Sequence, residues 1–144
     1  MQGTNVAQVF ALVVGIVYLA VGIVGFAVTG FTGFVADTDE ALLGFDLNVF
    51  GNIVHLLIGG GFLVASRMDA VITQGVVIGG GLVYILAALL GFLNELQILS
   101  INDEIAPDNF LHLVSGSAAV LAGLIGARQS NELLASNSRR TRRA

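Results

Sequence analysis

The sequence predicts an all-α protein, a four-helix transmembrane bundle built from two duplicated helical hairpins. Three observations lead there. Of 144 residues, 56% are hydrophobic and only 11% charged, with a mean hydropathy of +0.90, whereas soluble domains carry roughly 25% charged residues. The uncharged residues collect in four long windows. And one eight-residue element occurs twice, as Asn52-Ile53-Val54-His55-Leu56-Leu57-Ile58-Gly59 and as Asn109-Phe110-Leu111-His112-Leu113-Val114-Ser115-Gly116.

The windows place the helices. Residues 1–36, 47–66, 70–94 and 109–127 carry no Asp, Glu, Lys or Arg. A bilayer crossing takes roughly 20 apolar residues, and backbone groups left unpaired in lipid restrict the spanning forms to helices and closed barrels. Barrel-like alternation is missing, so helices are expected near 6–28, 48–66, 71–95 and 109–127. The single proline, Pro107, falls between spans. The first stretch lacks a basic leader and is too long for a signal-peptide core, so it reads as span one.

Charge orients the spans. All six Arg residues follow span two (Arg67) or span four (Arg128, Arg139, Arg140, Arg142, Arg143), while eight of ten acids fall in the other two loops. The positive-inside rule then puts both termini in the cytoplasm of a multi-pass cell-membrane protein, with the acidic loops outside. The chain has no Cys, which removes disulfides and thiolate metal sites. Its lysine-free, acidic composition, net charge −4, resembles that of proteins from high-salt environments.

A second pair of segments supports duplication. Gly15 to Phe26 and Gly81 to Phe92 match in register at Gly, Val, Tyr, Gly and Phe. The chain thus divides into hairpins 1–68 and 69–128 of one membrane domain, followed by a basic tail, 129–144, expected to be disordered beyond about residue 134. Small and polar residues recur at steps of three and four, which places them on one helix face. Gly15, Tyr18, Gly22 and Gly25 form one such seam, Gly81, Tyr84 and Gly91 another, with Gly59 and Gly116 on the partner spans. In lipid, association rests on close backbone approach and interhelical hydrogen bonds. Level matching predicts Gly25 beside Asn52 and His55, Gly91 beside His112, and the Tyr rings over Gly59 and Gly116.

The doubled Asn-x-x-His-Leu-x-x-Gly element, with Asn48 ahead of Asn52 and Asn102 ahead of Asn109, resembles the hallmark of an uncharacterised family of small four-span prokaryotic membrane proteins, a domain of unknown function. The resemblance covers about residues 5–128. It implies the four-span fold and brings no activity.

The candidate site consists of His55, His112, Asn52, Asn109 and Glu95. On a structural reading, Asn52 and Asn109 cap helices and each His bonds a carbonyl, Thr29 or Glu95 across the bundle. On a ligand reading, two imidazoles at equal depth hold haem b, a quinone or an ion. A metal would need further ligands, and Glu95 alone offers one, so no metal site is assigned. Asp37-Thr38-Asp39-Glu40 has calcium-binding side chains without EF-hand spacing, and the Gly59–Gly61 and Gly79–Gly81 runs lack the Lys of a phosphate loop.

With no nucleophile–base pair, an enzyme is not expected. The leading expectation is a structural or accessory subunit that associates with itself or a partner membrane protein through glycine-rich helix faces, without a cofactor. A cofactor-, quinone- or ion-binding protein using His55 and His112 is the alternative, and a small oligomeric channel or transporter comes third. Expected partners are the lipid bilayer and anionic headgroups at the Arg-rich tail; that tail carries no aromatic residue for nucleic acid.

Overall fold

The structure is a computed structural model that describes residues 4–35 and 40–142. Four α-helices account for most of it: α1 (Val6–Thr29), α2 (Val49–Ala65), α3 (Ala70–Phe92) and α4 (Pro107–Thr141). A two-stranded hairpin, β1 (Ala41–Leu42) and β2 (Phe45–Asp46), lies between α1 and α2, and a 3-10 turn, Gln97–Leu99, lies between α3 and α4. Three helices, α1, α3 and α4, are long and apolar enough to cross a membrane; α2, with 17 residues, is apolar but shorter.

Local chemistry sets the helix ends. Asn5 and Gln8 form a reciprocal capping box at the start of α1. Asn48 caps α2, its side-chain oxygen accepting from the Gly51 amide at 2.7 Å. Pro107 opens α4, where its missing N–H costs nothing. Asn52 and Asn109 were expected in the capping role, but they lie inside α2 and α4, whose caps are Asn48 and Ala106.

α1 packs along α2, and α3 along α4; α1 also touches α3 and α4, and α2 touches α3. α2 and α4 therefore stand furthest apart. Glycine notches bring the paired helices together. A β-carbon on Gly59 would lie 2.6 Å from the Leu19 amide nitrogen, and one on Gly116 would lie 2.7 Å from the Gly81 carbonyl oxygen. The Gly59 notch is thus filled by α1 backbone, not by the Tyr18 ring as expected from level matching. At Gly116 the nearest atoms are the Gly81 carbonyl oxygen, the Ile85 amide nitrogen and the Tyr84 β-carbon, so the ring expected there is not what fills the notch. The core is small: Ala7, Ala11, Val77, Ala119 and Ala122 around Phe62, whose ring fits against Gly80. Large aliphatics face outward, Leu57 at 71% exposure and Val114 at 67%, an arrangement that suits lipid.

The two ends of the bundle differ. At one end Val6 N–H donates to Gln129 Oε1, Gln8 Nε2 to the Met68 carbonyl, and Gln74 Nε2 to Ser130 Oγ. Arg67 and Arg128 belong to this end. The hairpin, the 3-10 turn and the acidic residues Asp46, Asp103, Glu104 and Asp108 belong to the other. Asp37, Asp39 and Arg143 lie outside the described residues.

α4 runs to Thr141, where the sequence reading ended the span at residue 127 and expected disorder beyond about 134. The thirteen residues past Arg128 extend the rod by about 20 Å. From Asn131 onward they are exposed.

Candidate functional site

Each helix pair brings an Asn, a His and a Tyr to the acidic half of the bundle. Asn52 and Asn109 are fully buried. Asn52 Nδ2 donates to Thr29 Oγ1 at 2.9 Å, so the hydroxyl expected to meet a histidine meets the amide instead. Asn109 Nδ2 donates to the carbonyls of Asp103 at 3.1 Å and Glu104 at 3.0 Å. In both, Oδ1 occupies the place where a glycine lacks a side chain. A β-carbon would fall 2.0 Å from Asn52 Oδ1 at Gly25, and 1.8 Å from Asn109 Oδ1 at Gly91. Neither oxygen has a conventional hydrogen bond; each faces the glycine in the manner of a weak Cα–H···O contact. At both glycines the nearest side chain is the asparagine: Asn52, one of the two neighbours expected, at Gly25, and Asn109 at Gly91, where His112 was expected.

The histidines lie one turn further in. His55 packs against Tyr18 with ring centroids 5.4 Å apart, and His112 against Tyr84 at 5.1 Å. Tyr18 and Tyr84 meet edge to face at 5.6 Å in the middle. The four rings make a continuous chain from α2 through α1 and α3 to α4. The Nδ1 atoms of both histidines are buried and have no hydrogen-bond partner, the costly condition for a polar group away from water.

His55 and His112 line one cavity of about 180 Å³. It lies at the acidic end among residues of all four helices, with most of its helical lining from α2 and α4. Tyr84 lines it and also a smaller space of about 40 Å³ toward the middle of the bundle, so this ring separates the two. Val21, Val54 and Leu111 form apolar walls; Leu42, Phe45 and Asp46 from the hairpin and Leu99 from the 3-10 turn cover the outer side. Asn48 ties these covers together, since its Nδ2 donates to the Ile98 carbonyl at 3.0 Å while its oxygen caps α2.

Glu95 stands apart. α3 ends at Phe92, so Glu95 sits in the following loop and is exposed. No cluster of three or more His, Asp or Glu side chains able to hold a metal ion occurs among the described residues. Sequence reasoning missed Asp46 and Asp108, which line the cavity with the histidines. Asp46 precedes Asn52 by six residues and Asp108 precedes Asn109 by one, so no repeated spacing marks them.

A family model described as Domain of unknown function (DUF4383) matches residues 8–125. No curated protein and no solved structure matches the chain. The chain belongs to the DUF4383 family.

Proposed function

We propose that this DUF4383 protein is a small multi-pass membrane protein that binds a small molecule between His55 and His112. The observation that carries this reading is the shared cavity of about 180 Å³, bordered by both imidazoles; their Nδ1 atoms have no partner among the described residues. Each ring borders that space while its own Nδ1 is sealed from it, so a ligand would meet the remaining edge of each imidazole.

The size of the space narrows the ligand. Pockets for drug-sized ligands run to about 300–1,000 Å³, so this one suits a short chain or a single ring such as a quinone headgroup and disfavours haem b. The accessory-subunit reading has less support. Gly15, Gly22, Gly25, Gly59, Gly81, Gly91 and Gly116 all abut other parts of the same chain, so those faces are already occupied. We read the protein as a binder and not an enzyme.

The likeness of the halves supports an internal duplication. Gly25–Asn52 and Gly91–Asn109, Gly59 and Gly116, and Tyr18–His55 and Tyr84–His112 are matching contacts in the two hairpins. We place all four helices across the cell membrane, with the Arg-bearing end cytoplasmic and the cavity near the outer boundary. The exposed end of α4, with Arg139, Arg140 and Arg142, suits anionic headgroups at roughly 1 kcal/mol per charge.

The test is a screen of small amines, alcohols and ring ketones against the purified chain by saturation-transfer NMR, in parallel with the His55→Ala/His112→Ala double variant. The reading expects a class of compound that binds the wild type and is lost in the variant, with helical content unchanged. Equal binding to both proteins, or a Soret band in the purified wild type, refutes it. Topology has its own test, because the chain is free of cysteine. A membrane-impermeant maleimide should label Leu43→Cys in intact cells and Asn137→Cys only after permeabilisation; the reverse pattern overturns the orientation.

A further inference from the structure

We infer that the ligand of the His55–His112 cavity is a small organic cation, a primary ammonium on a short alkyl chain; this rests on the pocket reading above. The charge of the lining points that way. Asp46 and Asp108 both line the space, together with the two imidazoles, Tyr84 and Asn48, and neither Arg nor Lys does. Lysine is absent from the whole chain. Arg67 and Arg128 lie at the opposite end of the bundle, and the remaining described arginines are on the α4 extension.

One effect opposes this. The N-termini of α2 and α4 face the acidic end, and each helix terminus counts as about half a positive charge. The C-termini of α1 and α3 lie at the same end and each counts as about half a negative charge, so the termini offset one another and the two carboxylates set the sign. A neutral ring in the cavity would leave that negative charge unpaired. An ammonium group pairs it, finds an acceptor in an imidazole Nε2, and lies among side chains that include Tyr84 and Phe45. Beyond the charged head, Val21, Val54, Leu99, Ile101 and Leu111 supply an apolar wall for the alkyl part. A bare divalent ion fits less well, since no metal-competent cluster occurs among the described residues. Glu40, Glu95, Asp103 and Glu104 lie at the same end and would draw cations toward the mouth at low salt.

The experiment titrates the full-length chain in neutral detergent with n-butylammonium, with n-butanol as its uncharged counterpart, and with 1,4-benzoquinone. Calorimetry and histidine-ring NMR provide the readouts. Saturable butylammonium binding, at least about tenfold tighter than butanol and weakened about tenfold by Asp108→Asn, is the expected result for a charge-assisted contact. Asp46→Asn, on the exposed hairpin, repeats the test where folding is not at stake and should weaken binding in the same direction. Butanol or benzoquinone binding as tightly as butylammonium, with both histidine rings responding, overturns the cation and leaves the pocket standing. Unmoved histidine rings with all three compounds remove both.

Discussion

Gly91→Ala probes the packing that carries the site, and its cost follows from the geometry. The added β-carbon would fall 1.8 Å from Asn109 Oδ1, so one of the two must move. Asn109 is fully buried and its amide is held by the Asp103 and Glu104 carbonyls. Turning it away breaks both bonds, at about 0.5–1.5 kcal/mol each. Forcing the helices apart instead costs about 1–3 kcal/mol, the usual range for overpacking. Either route costs about 1–3 kcal/mol, and the helix gain of alanine over glycine, about 0.5–1 kcal/mol, leaves a net loss of up to about 2.5 kcal/mol. Gly75→Ala is the control on the same helix: nothing lies within 4 Å of its β-carbon, so only the helix gain remains. Unfolding in mixed micelles, followed by circular dichroism, should move the two variants in opposite directions. In Asn109→Ala the clash is gone, and adding Gly91→Ala should then cost little, a non-additivity expected of touching residues. A Gly91→Ala protein as stable as Gly75→Ala would refute the notch-and-amide packing.

Other perturbations have defined signs. Gly59→Leu drives a side chain into the Leu19 amide, 2.6 Å from the β-carbon, and should separate α1 from α2, seen as a collapse of the thermal midpoint. Leu43 has φ 56° and Gly44 φ 88° in the two-residue hairpin loop, the left-handed pair that favours Asn-Gly. Leu43→Asn should therefore stabilise the hairpin, by about 1 kcal/mol, read as slower amide exchange at Leu42 and Phe45. Thr29→Val removes the acceptor of Asn52 Nδ2 and should cost about 1 kcal/mol, measured by the same micelle unfolding. Asn48→Ala loses the α2 cap and the Ile98 tether together; about 1–2 kcal/mol is expected, with faster exchange in the 3-10 turn as the distinguishing sign.

Much of this arrangement was legible in the charge-free windows and the doubled motif. They placed four helices and drew Asn52, His55, Asn109 and His112 into one half of the molecule. What they could not assign was which polar group does what. Residues three apart on a helix differ by about 60° around its axis, whereas seven apart differ by about 20°. Asn52 and Gly59 therefore share the seam against α1, and His55 turns out of it toward the centre. The same offset separates Asn109 and Gly116 from His112. Spacings of three and four mark a face too coarsely to separate seam from cavity, so Thr29 was matched to the wrong neighbour.

Two further features escaped for different reasons. The hairpin has strands of two residues and a Leu43-Gly44 loop, too short for alternation and lacking the favoured turn pair. The expected end of span four at residue 127, just before Arg128, follows charge, which marks the membrane edge and not the helix end. Glu132, Leu133, Leu134 and Ala135 continue as helix formers, with no Gly or Pro to stop them.

The central claim is that His55 and His112 face one shared space. Histidine-ring nitrogen-15 NMR of the intact chain, titrated with a compound that binds the wild type, tests it most directly. Both rings should shift together along one isotherm at one ligand per chain. Movement of a single ring, or two isotherms with different midpoints, would contradict the shared cavity.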